Sequence, residues 1–212
     1  MAREKWIVGM TGASGVIYGV RLCEELLARG ETVHLIITDA GWRVLHDELD
    51  WSASPRRRDT LKEHFKDLPG ELIYHPIQDI GASVASGTFL TKGMVVIPCS
   101  MGTLSGIARG SSDNLLERAA DVMMKEGRKL ILVPRETPLH AIHLENMLTL
   151  ARMGIRIIPA MPGFYQKPSS LDEVVDFMVG KVLDSMEIEH DLYIRWGEGN
   201  GKQNKENSDR QN

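Results

Sequence analysis

The chain has few cysteines, few aromatic residues and no excess of positive charge. Two of its 212 residues are cysteines, Cys23 and Cys99, which makes a disulfide framework implausible and provides no metal-binding cysteine pair. The formal net charge of −4 leaves no broad basic surface for nucleic acid or an anionic membrane. Neither a signal peptide nor a membrane-spanning apolar run is visible. These absences favour a cytoplasmic enzyme that binds a small ligand through a few local residues.

What is present is an alternation of apolar strand patterns and helical patterns. The length and the 42% hydrophobic content suit one globular domain. Strands are predicted at 6–10, 33–38, 94–98, 130–133 and 155–159, and helices at 16–29, 40–49, 114–127, 139–153 and 171–186. This alternation predicts an α/β fold with a doubly wound parallel sheet. The charged stretch 52–70 predicts a surface excursion with a short helix, and the polar stretch 199–212 a disordered tail.

A turn of small residues, Met-Thr-Gly-Ala-Ser-Gly at positions 10–15, joins the first predicted strand to the first helix. Glycines allow close backbone approach to a ligand, and a helix N-terminus offers unpaired N–H groups to a phosphate. The spacing does not fit the dinucleotide fingerprint, because Met10 occupies its first glycine position. The turn therefore predicts a nucleotide-like or phosphorylated ligand, with a tight turn that binds nothing as the alternative.

Two further clusters of small polar residues follow central strands, at 99–103 (Cys-Ser-Met-Gly-Thr) and 134–137 (Pro-Arg-Glu-Thr). Ligands of doubly wound sheets bind beyond the carboxyl ends of the strands, where all three turns can meet. Ser14, Ser100 and Thr103 would supply hydroxyls there, and Arg135 a planar cation. The pattern predicts a phosphate-and-ring site, although serine and threonine at these positions can also simply cap helices.

Other polar residues allow two interpretations each. Glu136 is a candidate acid or base beside Arg135, or a first-turn glutamate that favours the helix dipole. Four charged residues at helical spacing suggest a solvated ion-paired face: Glu117, Arg118, Asp121 and Lys125. His140 and His143 lack a third metal ligand, so a metal site is disfavoured. Cys99 fits small buried filler better than a catalytic thiol.

These motifs resemble the flavin prenyltransferases of the UbiX type. The matching segments run in order from about Trp6 to Glu198: MTGASG at 10–15, ASG at 85–87, PCSMGT at 98–103, NLLERAAD at 114–121, LVPRE at 132–136, HLENM at 143–147, PGFY at 162–165 and RWG at 195–197. The resemblance implies a single flavodoxin-like, Rossmann-like domain over residues 1–198. It also implies a high-order homo-oligomer, for which we expect a dodecamer.

The activity that the resemblance implies is a prenyl transfer without a metal. Members of the family join a dimethylallyl group from dimethylallyl monophosphate to N5 and C6 of reduced FMN. The product, prenylated FMN, serves decarboxylases of the UbiD type. Whether this chain would serve quinone synthesis or aromatic-acid decarboxylation stays open, as does the preference for mono- over diphosphate.

The resemblance also implies site residues, position by position. FMN would be bound by Gly12, Ala13, Ser14, Thr38, Ser100, Met101, Gly102, Thr103 and Arg135. The prenyl phosphate would be surrounded by Ser86, Arg118, Lys125, Arg135, Glu136, Tyr165 and Lys181, partly across a subunit boundary, with Trp196 in a covering C-terminal segment. Catalytic roles would fall to Ser14 and Glu48, which manage the proton at flavin N5, and to Glu136 and Lys125 at the leaving phosphate.

Three positions depart from the family pattern and leave the substrate detail open. Lys181 replaces an arginine, Ile80 an aromatic residue and Val84 a proline. Three other functions compete with the prenyltransferase: a flavin-dependent cysteine-peptide decarboxylase, a non-catalytic FMN-binding subunit and an NAD-dependent dehydrogenase. The last would use Asp39 as its ribose ligand and is disfavoured by the glycine spacing.

Overall fold

The computed structural model describes residues 3–51 and 56–195. Six parallel strands form one sheet in the order β3-β2-β1-β4-β5-β6. Their bounds are β1 Lys5–Met10, β2 Thr32–Ile37, β3 Glu71–His75, β4 Gly93–Cys99, β5 Lys129–Pro134 and β6 Arg156–Ile157. The chain divides into two compact units between Met161 and Pro162, and the whole sheet belongs to the first unit.

Among the described residues, six helices accompany the sheet in the first unit and one long helix lies in the second. Their bounds are α1 Val16–Ala28, α2 Asp39–Leu49, α3 Arg57–Phe65, α4 Met101–Ala108, α5 Leu115–Lys125, α6 Ala141–Arg152 and, in the second unit, α7 Leu171–Met186. A short 3-10 turn covers Ser83–Ala85. Within the described ranges, no helix combines the length and the apolar character needed to cross a bilayer.

The sheet is doubly wound, as the sequence predicts. The central strands β2 and β4 are buried along their whole length, which explains their continuous apolar sequences. The chain builds β1, β2 and β3 outward to one side, and then β4, β5 and β6 to the other. The direction of winding therefore reverses between β1 and β4, where this architecture forms its ligand crevice at the carboxyl edge of the sheet.

Two elements of the first unit are absent from the sequence-based prediction. Strand β3 lies at the edge of the sheet and is only half buried, so its sequence lacks a continuous apolar run. Helix α4 contains Gly102 and Gly106, which lower helix propensity. It forms because Ser100 caps it and because Leu104 and Ile107 are buried in the core.

Most other predicted bounds agree with the structure within one or two residues, and α7 coincides with the predicted helix 171–186. The last predicted strand, 155–159, is limited to Arg156–Ile157. The stretch predicted as a disordered tail, 199–212, lies outside the described residues. The single domain expected over residues 1–198 stays a prediction.

Candidate active site

Thr11 fastens the ends of β1 and β4 together. Its buried Oγ1 donates a hydrogen bond to the carbonyl of Pro98 at 2.8 Å and accepts one from the backbone N–H of Ser100 at 2.7 Å. The turn after β1 and the turn after β4 therefore lie side by side at the carboxyl edge. Thr11 is not among the predicted site residues, although a threonine directly after a buried strand is a signal for such a bridge.

Arg135 brings the third predicted segment to the same place. Its backbone N–H donates to the carbonyl of Cys99 at 3.3 Å, and its guanidinium Nε donates to the carbonyl of Ser14 at 3.3 Å. The turns after β1, β4 and β5 thus converge, with a cation fixed beside the small-residue loop. A guanidinium in this position suits recognition of a phosphate group.

Glu48 of α2 occupies the start of α1. Its carboxylate accepts the N–H of Gly15 at 3.0 and 3.1 Å and the N–H of Val16 at 3.2 Å. Gly15 has a φ of 98°, a left-handed conformation that favours glycine. Two N–H groups of the predicted phosphate cradle are therefore directed at a protein carboxylate, and the negative charge favoured at this helix end is supplied by Glu48.

The side chains around Glu48 show how this loop is held. Ser14 is exposed and makes no capping hydrogen bond to α1, so the simple capping interpretation does not apply to it. Tyr18 lies next to Gly15, and burial together with the charge of Glu48 raises the pKa of its phenol. The phenol therefore stays protonated beside the carboxylate.

Thr38 and Ser100 do cap helices. Thr38 Oγ1 accepts the N–H of Gly41 at 2.9 Å at the start of α2. Ser100 Oγ accepts the N–H of Thr103 at 3.3 Å at the start of α4 and lies 3.1 Å from the Thr103 hydroxyl. Each of these hydroxyls has further hydrogen-bonding capacity, so capping does not prevent contact with a ligand.

The glycines and apolar residues of the two turns shape the crevice. A Cβ at Gly12 would lie 2.5 Å from Cβ of Ala40, so this loop packs closely on α2. A Cβ at Gly102 would meet no atom within 4 Å, so the first turn of α4 borders open space. Ala13 and Met101 are buried and contribute walls rather than polar groups.

Glu136 follows Arg135 at the end of β5 and is exposed. Its carboxylate accepts the N–H of Thr137 at 3.0 Å. The structure therefore places one acidic and one basic side chain in sequence at the carboxyl edge, as a general acid beside a phosphate site would require.

Ser86 and Lys125 lie at the opposite, amino edge of the sheet. Lys125 ends α5 shortly before β5 begins, and its ammonium group binds the Glu126 carboxylate. Gly87, the neighbour of Ser86, lies beside it, since a Cβ at Gly87 would be 2.9 Å from Lys125 Nζ. The lysine lowers the pKa of Glu126 by this hydrogen bond. Because β4 spans seven residues, the two edges are about 20 Å apart. One chain therefore does not unite all the predicted residues.

Arg118 lies between these two sets, on the first half of α5. It forms an ion pair with Asp121 at 2.9 Å, part of the predicted charged face. Lys125 binds Glu126 instead of Asp121, and Glu117 accepts the N–H of Asp113 at 3.2 Å. Of the ion pairs that the helical spacing of this charged face predicts, the structure therefore shows that between Arg118 and Asp121, whereas Lys125 and Glu117 contact other partners.

Two predicted phosphate residues belong to the second unit. Tyr165 is exposed and its ring packs edge-on against Phe177, with ring centroids 5.8 Å apart. Lys181 Nζ lies 3.8 Å from a carboxylate oxygen of Asp184. Trp196 lies outside the described residues.

Cys99, His140 and His143 take structural positions. Burial raises the pKa of the Cys99 thiol, so the thiolate is disfavoured. His140 accepts the N–H of His143 at the start of α6, and the two rings stack with centroids 3.4 Å apart. In the described part of the chain, no three side chains of metal-binding type come together.

The comparison with protein families places this architecture among flavin-binding proteins. Residues 1–188 match the Flavoprotein family, and the chain belongs to that family. The UbiX flavin prenyltransferase of Alkalihalophilus pseudofirmus is 58% identical over 191 residues, which cover 90% of this chain and 95% of the relative. That of Halalkalibacterium halodurans is 55% identical over 193 residues, 91% of this chain and 93% of the relative. The predicted resemblance to the UbiX type is confirmed.

Solved structures agree with this assignment. The crystal structure of AnUbiX in complex with FMN and dimethylallyl pyrophosphate superposes with a TM-score of 0.84 at 37% identity, covering 92% of this chain and 98% of that one. The dodecameric FMN-dependent UbiX-like decarboxylase from Escherichia coli has a TM-score of 0.79 at 43% identity, covering 91% and 98%.

Proposed function

We propose that this protein transfers the dimethylallyl group of dimethylallyl monophosphate to N5 and C6 of reduced FMN. The observation that carries the proposal is the convergence of the turns after β1, β4 and β5 at the carboxyl edge. They bring hydroxyls, backbone donors and the Arg135 guanidinium together. The relatives at 58 and 55% identity are flavin prenyltransferases, and this convergence supplies the physical basis for the same activity here.

The residues at the carboxyl edge fit FMN. Open space at Gly102 admits a ring or ribityl chain, while Arg135 and the helix-capping hydroxyls supply donors for phosphate and carbonyl oxygens. We assign FMN binding to Gly12, Ala13, Ser14, Thr38, Ser100, Met101, Gly102, Thr103 and Arg135. When bound in reduced form, FMN supplies the nucleophilic atoms N5 and C6.

The chain's own charges account for departure of the phosphate. Breaking the allylic C–O bond separates a cation from an anion, and without a metal the anion must be stabilised by side chains. Arg118, Lys125 and Lys181 supply positive charge in this proposal, and Ser86 and Tyr165 supply hydroxyls. Glu136 donates a proton to the leaving phosphate.

Ser14 and Glu48 act on the proton at flavin N5. Glu48 holds the Gly15 and Val16 N–H groups, which fixes the loop that carries the Ser14 hydroxyl. That hydroxyl is exposed and forms no helix cap, so it is available to a ligand. A loop fixed in this way reduces the ordering that substrate binding would otherwise require.

A complete site on this proposal needs more than one copy of the chain. Ser86 and Lys125 lie at the amino edge, whereas Arg135 and Glu136 lie at the carboxyl edge, so a neighbouring copy must supply one set. Helix α6 exposes Ile142, Leu144 and Leu148, each about half exposed, and such apolar surface suits an interface between copies. We propose a homo-oligomer, a dodecamer as in the Escherichia coli relative.

The recipient of the product is a decarboxylase of the UbiD type in this proposal. Prenylated FMN is a cofactor rather than an end product, so an acceptor enzyme has to take it up. We also place the protein in the cytoplasm. Cys23 and Cys99 are both buried and unbridged, which fits a reducing compartment.

The decisive experiment is anaerobic incubation with reduced FMN and dimethylallyl monophosphate, followed by mass measurement of the extracted flavin. We expect the mass to rise by one dimethylallyl group, with a parallel reaction on the diphosphate showing which donor is preferred. FMN bound at an unchanged mass with both donors would contradict the proposal and favour a non-catalytic flavin carrier.

The role of Glu136 has its own test. Glu136→Gln should retain FMN and slow prenylation about 100-fold, the scale of general acid catalysis. Glu63→Gln, which changes an exposed carboxylate on α3, serves as the matched control. Turnover of Glu136→Gln at the rate of the control would remove Glu136 from the mechanism.

A further inference from the structure

We propose that Asp184 is a positioning residue for the prenyl transfer, which orients Lys181 toward the phosphate and fastens residues 190–195 to α7. The inference rests on the proposed function, because it takes Lys181 as a phosphate ligand. Every contact that supports it lies within the second unit. Neither the motifs nor the resemblance singled out Asp184.

The Asp184 carboxylate is the centre of a cluster of donors. It accepts a short hydrogen bond from the Tyr193 hydroxyl, one from Arg195 Nη2 at 2.8 Å and one from His190 Nε2 at 3.1 Å. Lys181 Nζ lies 3.8 Å from the same carboxylate, one turn earlier on α7. A single side chain thus connects a proposed phosphate ligand to the segment that follows the helix.

The orientation of His190 shows that this contact is specific. The N–H of Leu192 donates to His190 Nδ1 at 3.2 Å, so Nε2 carries the proton that is donated to Asp184. The His190 side chain is fully buried. This arrangement selects one tautomer and fixes the ring plane, as a positioning network requires.

Gly180 makes room for the cluster. A Cβ at this position would lie 2.5 Å from Tyr193 Cε1 and 2.8 Å from His190 Cε1. Both rings therefore rest directly on the α7 backbone beside Lys181. The absence of a side chain at Gly180 permits the segment 190–195 to approach Asp184 this closely.

A row of aromatic rings extends from the cluster to Tyr165, the other proposed phosphate residue of this unit. The Tyr193 ring lies 5.4 Å from that of Phe177, which in turn packs edge-on against Tyr165 at 5.8 Å. Lys181 Nζ lies 5.9 Å from the centroid of Tyr193. The two proposed phosphate ligands are therefore held by one connected framework.

The geometry of the cluster leaves donors of Lys181 available to an anion. Burial opposes ionisation of Asp184, but hydrogen bonds from Tyr193 and Arg195 outweigh it and lower the pKa of the carboxyl. The Asp184 carboxylate is then shared between the two cations Lys181 and Arg195. The 3.8 Å separation from Lys181 is longer than a hydrogen bond, so the carboxylate directs the ammonium group without saturating its donors.

The test is Asp184→Asn, which keeps the side-chain shape and removes the charge. With reduced FMN saturating, we expect the KM for dimethylallyl monophosphate to rise about tenfold, while the dissociation constant for FMN stays within about twofold. Asp191→Asn removes the same charge from the neighbouring segment and should match the wild type. Tyr193→Phe keeps the ring, removes one donor and should raise the KM in the same direction.

A double-mutant cycle separates positioning from a general effect on the fold. In a Lys181→Ala background, Asp184→Asn should change the KM by less than about twofold, because the ammonium group that Asp184 orients is absent. An equal loss in both backgrounds, or a wild-type KM for Asp184→Asn, would overturn the proposal. If Asp184→Asn does not fold, the same comparison is made with Tyr193→Phe in the wild-type and Lys181→Ala backgrounds, and its KM values decide the proposal. Absence of prenylation by the wild-type protein would instead refute the proposed function.

Discussion

A buried histidine pair makes the stability of the first unit dependent on pH. His34 Nδ1 and His75 Nε2 lie 2.9 Å apart across neighbouring strands β2 and β3, and the Phe89 ring packs nearly perpendicular to His34 with ring centroids 5.1 Å apart. Nε2 of His34 is buried and has no hydrogen-bond partner among the described residues. Neither ring can take up a second proton without placing a charge in this apolar region.

Proton linkage gives the direction and the size of this pH effect on the free energy of unfolding. Burial lowers the pKa of His34 to about 4 from an ordinary value of 6.5, and the pKa of His75 is lowered for the same reason. Between pH 4 and pH 6.5, the unfolded chain therefore binds more protons than the folded protein. The stability from the neutral ring is complete above pH 6.5 and is lost as the pH falls toward 4. For His34 alone the loss between pH 7 and pH 5 is about 2 kcal/mol.

The assay is urea denaturation at pH 7 and pH 5, at one protein concentration because assembly shifts apparent stability. His34→Asn keeps a donor or acceptor for His75 and removes the titrating ring. Relative to this variant, the wild type should lose about 2 kcal/mol more between the two pH values. His46→Gln, which changes an exposed histidine outside this pair, is the matched control. Equal pH slopes for the wild type and His34→Asn would refute the reasoning.

Three further predictions concern the site and the assembly. Glu48→Gln removes the charge at the start of α1 and should lower the free energy of unfolding, measured by urea denaturation, by about 1 kcal/mol. An unchanged urea midpoint would show that the Glu48 carboxylate does not stabilise the start of this helix. Gly19→Ala places a Cβ 2.4 Å from a carbonyl oxygen of β4 and should cost roughly 2 kcal/mol, whereas Gly102→Ala should keep the melting temperature and weaken FMN binding. A thermal melt and an FMN titration separate the two glycine variants, and equal results would be evidence against the assigned crevice. Lys125→Ala and Arg135→Ala should each be inactive, and co-assembly of the two chains should restore prenylation in part. No recovery in verified mixed assemblies would show that the two residues act from the same copy.

The sequence was sufficient for the doubly wound α/β class of the first unit, but not for strand β3 or helix α4. Continuous apolar strands and glycine-rich turns fixed the alternation of strands and helices, and the turns after β1, β4 and β5 were expected at one edge. Helix α4 was missed because Gly102 and Gly106 conceal a helix that capping and burial stabilise. Local propensity alone could not reveal that compensation.

The contacts of the site were harder to predict, because they join residues far apart in the chain. Glu48 reaches the start of α1 from another helix, and its capping of Gly15 has no local signature. Thr11 likewise bridges to Pro98 and Ser100, almost ninety residues further along the chain, through tertiary hydrogen bonds. The resemblance assigned Lys125 and Arg135 to one site, but only the fold shows that they lie at opposite edges of the sheet.

The separation of these edges has a consequence for assembly. If each copy contributes its amino edge to one neighbour and its carboxyl edge to another, an open chain of copies leaves an unused half-site at each end. A closed symmetric shell leaves none, since every edge meets its complement. Closing the oligomer into a shell would then do more than stabilise the assembly. It would set the number of working catalytic centres equal to the number of chains, and dilution below the assembly threshold would remove them all together.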